Sequence, residues 1–375
     1  MKTFQTVFAI VPDCHARAGH YRQLWQRHFY DGVRGSAATL FTPQKVDFSW
    51  ARSSSSPGNG EFSRTAERTR TSEQLLEQIK KAQRSHGLDV VLSYCFANDV
   101  EPEIVRQTIQ FGIPWINFYC DSTHRFSEIE GLARVVSLNW FPEHAAIRSY
   151  QALGVPCVCL PYALNPDFLP ALSCVAPDRS LAFIGLPTTN RITQLGLLRL
   201  LGCRVDVRGY EWIEPSSNPF HNPARKSTDW VKVLFRRGLS EKITRRLLWP
   251  MVRRQAKGAL DGAEFYEYLR GCQILLGLNQ GRDEQGRLGS YLKFRDIEFP
   301  GYGCCYLTEY NEDVAAVFDV GREVLTYRSI WEASRLGREL SGNLERTTRI
   351  GAAARCRVLN EHVWSVRLKQ LAERL

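Results

Sequence analysis

No apolar run in this chain approaches the ~20 residues that span a bilayer. The stretch MKTFQTVFAIVPDCHARAG has one brief apolar run, which ends at Pro12 and Asp13 with no small-residue cleavage site behind it. That is the pattern of a buried first strand and not of a signal peptide. No two cysteines have the spacing of a zinc knuckle: Cys157 and Cys159 alternate as strand residues do, and Cys304 and Cys305 are adjacent. No structural metal is therefore expected. The dinucleotide fingerprint of three closely spaced glycines after a first strand is missing, which argues against hydride transfer. A short internal repeat is missing too. Cysteine itself is not scarce. The 11 cysteines form an odd set and sit mostly inside apolar runs such as SYCFA, FYCDS and PCVCLP. Buried free thiols of this kind point to a reducing compartment, the cytoplasm.

With 375 residues the chain can build about two domains with separate cores. Apolar runs of strand length alternate with amphipathic stretches almost throughout, the pattern of α/β domains with doubly wound parallel sheets. TVFAIV, LDVVLSY, IPWINFYCD, VVSLNW and PCVCLPYA read as strands of a first domain over 1–164. In this reading Thr71 and Gln74 form a capping box, and SWARSSSSPGNGEFSRT is a long surface loop. A proline-spaced linker, 165–180, precedes a second domain over 181–355 with strands LAFIG, CRVDVRG, CQILLGLNQ, CCYLTE and EVLTY. That domain is interrupted by a basic helical insertion at 213–258, and a C-terminal helix over 356–375 is expected to pack back on the first domain.

The stretch YLKFRDIEFPGYGCCYLTE reads as a short helix broken at a proline and two glycines before a strand. Tyr291, Arg295 and Glu298 stand four and then three residues apart and so would share one helical face. An acid near a helix C-terminus opposes the macrodipole, so Glu298 needs either an ion pair with Arg295 or a ligand. The glycine-spaced loop from Gly281 to Gly289 follows a strand end, where doubly wound sheets bind ligands. If it opens a helix, backbone N–H groups near Ser290 point at an anion whose charge Lys293 and Arg295 balance. A plain surface turn is the alternative.

LAFIG with Arg191 six residues beyond Gly185, then LLGCRVDVRGYEW, FYEYLRGCQILLGLN, RDIEFPGYGCCYLTE, FDVGREVLTY and RCRVLNEHVWSVRLKQL follow in order over roughly 181–372. This order resembles the C-terminal half of the spore-maturation (CgeB-like) glycosyltransferases, relatives of glycosyltransferase family 4. The pattern at Arg295, Glu298 and Gly303 is its most specific part. The resemblance implies a GT-B fold, two Rossmann-like domains facing a central cleft, and a hexosyltransferase that uses a nucleotide diphosphate sugar, a UDP-sugar first among them. It implies no cofactor beyond that co-substrate and no metal. Glu298 corresponds to the glutamate that grips the ribose hydroxyls; Gly185, Arg191, Ser290, Lys293, Arg295 and Gly303 complete the implied donor set. Family 4 carries a second glutamate eight residues before the ribose glutamate, where this chain has Ser290, so retaining or inverting chemistry stays open.

On the acceptor side, His15, His20 and Tyr21 follow the first strand, and Asp121 and His124 end a later one. Asp121, His20 and His15 are the candidate catalytic groups, with Tyr21 and His124 as contacts, because an inverting reaction needs a base within reach of the acceptor hydroxyl. The acceptor itself is unreadable: a small molecule, a glycan or a lipid-linked sugar. From Arg225 to Lys257 there are eleven basic residues against Asp229 and Glu241, a net of +9 in a chain of net +10. Val231, Phe235, Leu239, Ile243 and Leu247 recur every four residues there. The stripe either packs on the second domain or meets an anionic membrane as a peripheral contact. Nucleic acid is not expected as a partner. A nucleotide-sugar epimerase of the same fold and a non-catalytic nucleotide or sugar binder are the rival functions.

Overall fold

A computed structural model describes residues 3–16, 20–37, 39–52, 60–169, 178–213, 244–260, 262–282 and 288–375. The chain forms two compact units that do not follow chain order. The first takes Met1–Leu169, Gly281–Ile297 and Arg357–Leu375; the second takes Pro170–Gln280 and Glu298–Cys356.

In the first unit, β1 (Thr6–Ile10), β2 (Thr39–Phe41), β3 (Val90–Ser93), β4 (Trp115–Phe118), β5 (Leu138–Phe141) and β6 (Cys157–Cys159) form one sheet in the order β2-β1-β3-β4-β5-β6. Every neighbouring pair is parallel. Strands β3, β4 and β5 are buried at every position, as in a sheet covered on both faces. The strand order reverses between β1 and β3, which makes their carboxyl ends the switch point where ligands bind in such sheets.

In the second unit, β7 (Asp178–Ile184), β8 (Val205–Arg208) and β9 (Cys272–Gly277) precede a two-stranded ribbon of β10 (Gln280–Arg282) and β11 (Leu288–Ser290), which reaches into the segment held by the first unit. β12 (Cys305–Glu309) and β13 (Leu325–Tyr327) follow. The second sheet runs β13-β12-β9-β7-β8, all parallel, with its switch between β7 and β9.

Several local expectations change. The helix expected to begin at a Thr71 cap starts at Gly60 and runs to His86, so the surface loop is shorter; residues 53–59 of it lie outside the described residues. Thr71 is buried inside that helix, where Trp50 Nε1 donates to its hydroxyl at 3.2 Å. Its side chain is satisfied by the neighbouring turn and caps nothing. Strand β2 and the helix Phe126–Ala133 have too short an apolar signal to be seen in the sequence.

Segment 281–297, read as part of the second domain, packs in the first unit. Phe294 anchors it, with ring centroids 5.9 Å from Trp25, 5.3 Å from His28 and 5.5 Å from Tyr162. Aromatic packing outweighs nearness along the chain. The C-terminal helix Trp364–Ala372 belongs to the same unit; Trp364 lies edge-on to Phe29 at 4.8 Å, and its indole N–H donates to the His28 carbonyl.

Of the basic insertion, 214–243 lie outside the described residues, and with them Val231, Phe235, Leu239 and Ile243. The stripe extrapolated to Leu247 is out of phase there: Leu247 is 65% exposed, while Leu248, Trp249, Val252 and Ala256 join the core of the second unit. Thr244–Leu248 form a π-helical turn. No helix among the described residues is long and apolar enough to cross a membrane.

Candidate functional site

The second unit's switch point is built from loops that are tied at several places. Gly209 has φ +140°, and a Cβ there would lie 2.3 Å from the Gly185 carbonyl oxygen. The two glycines let the turns after β7 and β8 touch. Trp212 Nε1 donates to that same carbonyl at 2.6 Å. Thr188 caps the helix Thr189–Leu200 through its side chain, and this puts Arg191 in the first turn. Arg191 Nε donates to the Leu278 carbonyl at 3.2 Å and Nη1 to the Leu186 carbonyl at 3.1 Å. One guanidinium thereby bridges the turns after β7 and β9.

Glu309, a residue the sequence reading passed over, completes the clamp. From the end of β12, its Oε2 accepts from the backbone N–H of Asn279 and of Gln280, each at 2.8 Å, and Oε1 accepts from Gln194 Nε2 at 2.8 Å. An acid closing the apolar run CCYLTE was the available signal. A buried carboxylate there has to be satisfied by several donors.

Glu298 lies in the helix Arg295–Gly301 and is 4% exposed. Gly303 follows with φ +80°, and its carbonyl is approached so closely by the helix Leu344–Glu361 that a Cβ on Gly351 would lie 1.9 Å from it. The expected shared face with Tyr291 does not form, because the helix starts only at Arg295. Ser290 ends β11, so the glycine-spaced loop leads into a ribbon and not into a helix N-terminus. The first turn of the helix is closed by its own Asp296, whose Oδ2 accepts from Lys293 N at 2.6 Å. The helix N-terminus on which an anion site near Ser290 was expected to rest therefore does not form at that position.

In the first unit Lys293 meets Asp121. Nζ lies 2.5 Å from Oδ1, and the side chains are 21% and 41% exposed. Asp121 follows β4 in the left-handed region, φ +62°, and its carbonyl closes a turn by accepting from His124 N at 2.9 Å. Glu143, buried after β5, accepts from Thr123 N at 3.1 Å and supports the same turn. Burial raises the Asp121 carboxyl, but Lys293, helped by His124 and Arg125, outweighs it and leaves the group below its ordinary range. Burial lowers the Lys293 ammonium, but Asp121 and then Glu143 outweigh that, and its pKa lies above normal. Nearby, burial pushes the Cys120 thiol up, and Asp121 adds to it; Tyr94 donates or accepts across 2.6 Å to that sulfur.

Asp121, His124 and Lys293 are therefore brought together, with the Tyr291 ring edge-on to His124 at 5.1 Å. Lys293, assigned to the donor by resemblance, is joined to an acceptor-side residue. His15 lies in the short helix Asp13–Ala16, where its Nε2 is 3.2 Å from the Tyr30 hydroxyl. His20 opens the helix His20–Trp25 with Tyr21 next to it; their side chains lie outside the described residues. No group of three or more His, Cys, Asp or Glu among the described residues is placed to hold a metal ion.

Comparison with known proteins adds the family context. The glycosyl transferase-like family matches residues 198–373. No curated protein matches in sequence. In structure the chain is similar to sucrose-phosphate synthase from Thermosynechococcus elongatus, at TM-score 0.58 and 11% identity over 98% of both chains. It is also similar to a glycosyltransferase from Rickettsia africae, at 0.56 and 10% over 98% of this chain and 97% of that one. Anabaena HepE, solved in complex with UDP-glucose, gives 0.56 and 10% over 98% of both. The chain has the GT-B fold. At these identities the likeness speaks for fold alone.

Proposed function

We propose that the chain is a glycosyltransferase of the hexosyltransferase class that moves a sugar from a nucleotide diphosphate sugar, a UDP-sugar first among them, to an acceptor hydroxyl. One observation carries this reading: the glycosyl transferase-like match covers 198–373, the stretch that holds Glu298, Gly303 and the turn pinned by Glu309. The UDP-glucose bound by HepE supports the choice of donor to test first. Glu298 takes the ribose hydroxyls, since a carboxylate accepts two hydroxyl hydrogen bonds at once. Arg191 and Arg295 stabilise charge that builds on the leaving diphosphate, so that no metal is required. Asp121, ionised at neutral pH, faces the acceptor hydroxyl. The setting is the cytoplasm, at the inner face of the membrane where the basic segment meets lipid.

The test is a thermal-shift screen of nucleotides and nucleotide sugars followed by an assay of nucleotide release. A ligand at a hundred times its dissociation constant adds about 2.7 kcal/mol of stability. UDP release from UDP-glucose, undiminished by EDTA, is the expected result. Sugar isomerisation without release would make the protein an epimerase, and binding without turnover a binder.

A further inference from the structure

The Asp121–Lys293 pair offers more than a salt bridge. Oδ1 of Asp121 is engaged by Lys293, and Oδ2 has no hydrogen-bond partner among the described residues. The Lys293 ammonium has three protons and one such partner there, Asp121. An open acceptor and open donors thus sit side by side at the carboxyl end of β4, where a doubly wound sheet presents its ligands. The backbone at Asp121 is held in a conformation uncommon for a residue with a side chain, and such strain gathers where a group has to be aimed.

The charge around the pair narrows the ligand. Asp121 and Glu143 against Lys293 leave one net negative charge, and Arg125 is already matched by both oxygens of Glu128, at 3.0 and 2.6 Å. A phosphate or carboxylate brought to Oδ2 would be repelled, whereas a hydroxyl is both donor and acceptor and carries no charge. We propose that Asp121 and Lys293 together bind two neighbouring hydroxyls of a neutral sugar or polyol acceptor, Asp121 accepting from one and Lys293 donating to the other, and that Lys293 does not bind the donor diphosphate. Calling this ligand the acceptor rests on the glycosyltransferase reading; the hydroxyl site itself does not.

The experiment is saturation-transfer NMR on the full chain with methyl glucoside, methyl galactoside and methyl mannoside, and in parallel with glucose 6-phosphate and glucuronate. Thermal-shift titrations with UDP, GDP and ADP accompany it. Wild type is expected to show transfer to a neutral glycoside and not to the anions. Asp121→Asn should weaken that binding about tenfold or more, the loss of a charge-assisted hydrogen bond, with nucleotide affinity unchanged. Asparagine tolerates the left-handed backbone, so the fold survives at that position. The double variant Asp121→Asn with Lys293→Met also removes the half-buried ammonium that would lose its partner, and should behave the same way. Binding of the anions in preference, no transfer to any of the neutral glycosides, or a tenfold loss of nucleotide affinity in Lys293→Met overturns the proposal. Glycoside binding by a wild type that takes up no nucleotide leaves the hydroxyl site standing and sinks the glycosyltransferase reading instead.

Discussion

Glu298 is nearly buried, and burial makes a carboxylate expensive unless its oxygens are used. Under the ribose assignment Glu298→Ala weakens nucleotide binding by roughly 1.5 to 3 kcal/mol, the range for hydrogen bonds to a charged group, and leaves the protein folded. Unchanged affinity in the folded variant would falsify the assignment. Arg295→Ala should weaken diphosphates and spare the free nucleoside; equal losses for both would mean that Arg295 acts only on Glu298. Asp121 and Lys293 make a separate prediction, about pH. The Asp121 carboxyl is depressed on folding, so its contribution to stability is present above its unfolded pKa of about 3.9 and is lost as pH falls through the folded value. The Lys293 pKa is raised, so its share is full below about 10.4 and is lost as pH rises through the folded value. Urea midpoints followed from neutral into acid should therefore drop less steeply in Lys293→Met than in wild type. Parallel acid limbs would show that the pair contributes nothing.

Among the elements, the turn between β9 and β10 depends on β12, which lies next to β9 in the sheet. Glu309 holds it by three hydrogen bonds, two of them from backbone N–H groups that have no rotamer with which to look elsewhere. Glu309→Ala leaves those donors unsatisfied and should destabilise the protein by about 3 kcal/mol. Glu309→Gln keeps one oxygen for the two amides, and Gln194 can turn its own carbonyl towards the new amide, so the cost should fall to about 1 kcal/mol. Calorimetry checks the first figure, and nucleotide titration of the glutamine variant checks whether the turn still serves the donor. If both variants bind nucleotide as wild type does, the turn has no part in the donor site. That clamp was not legible in advance. A glutamate ending an apolar strand is visible, but which backbone amides it meets depends on β12 adding beside β9, a pairing between segments some thirty residues apart. The helix at Arg295 departs from the expectation for a related reason: helical spacing in YLKFRDIE is real, yet Asp296 closes the turn at Lys293, and Phe294 is held by the rings of Trp25 and His28.

Over the whole molecule, charge is concentrated in one segment. Net +9 in 225–257 leaves +1 for everything else, so any attraction to an acidic surface comes from there. We expect the protein to be retained by anionic vesicles at low salt, each nearby Lys or Arg adding about 1 kcal/mol. Retention should collapse as salt shortens the screening length to about 8 Å. Neutralising Arg236, Arg237, Arg245 and Arg246 should abolish it without changing nucleotide affinity. Flotation of wild type and variant through a gradient decides the matter, and absence of wild type from the vesicle fraction at low salt rules out a membrane contact. The end of the segment already has another task, since Leu248, Trp249 and Val252 belong to the second unit's core.

The alternation of buried runs and amphipathic stretches was enough to determine two parallel-sheet α/β units, because burial on both faces forces continuous apolar strands and leaves little else for such a pattern to become. The positions of Asp121, His124 and Arg191 just beyond strand ends came from the same local signal, and that of Glu298 in a short helix from helical spacing. Tertiary structure alone decided their partners. Lys293 pairs with a residue 172 positions away, and the segment carrying it packs in the first unit although its neighbours on both sides in the chain belong to the second. Periodicity reports which face of an element is buried, not what buries it. Contacts between distant segments are chosen by shape, aromatic burial and charge only once the sheets exist to bring them together.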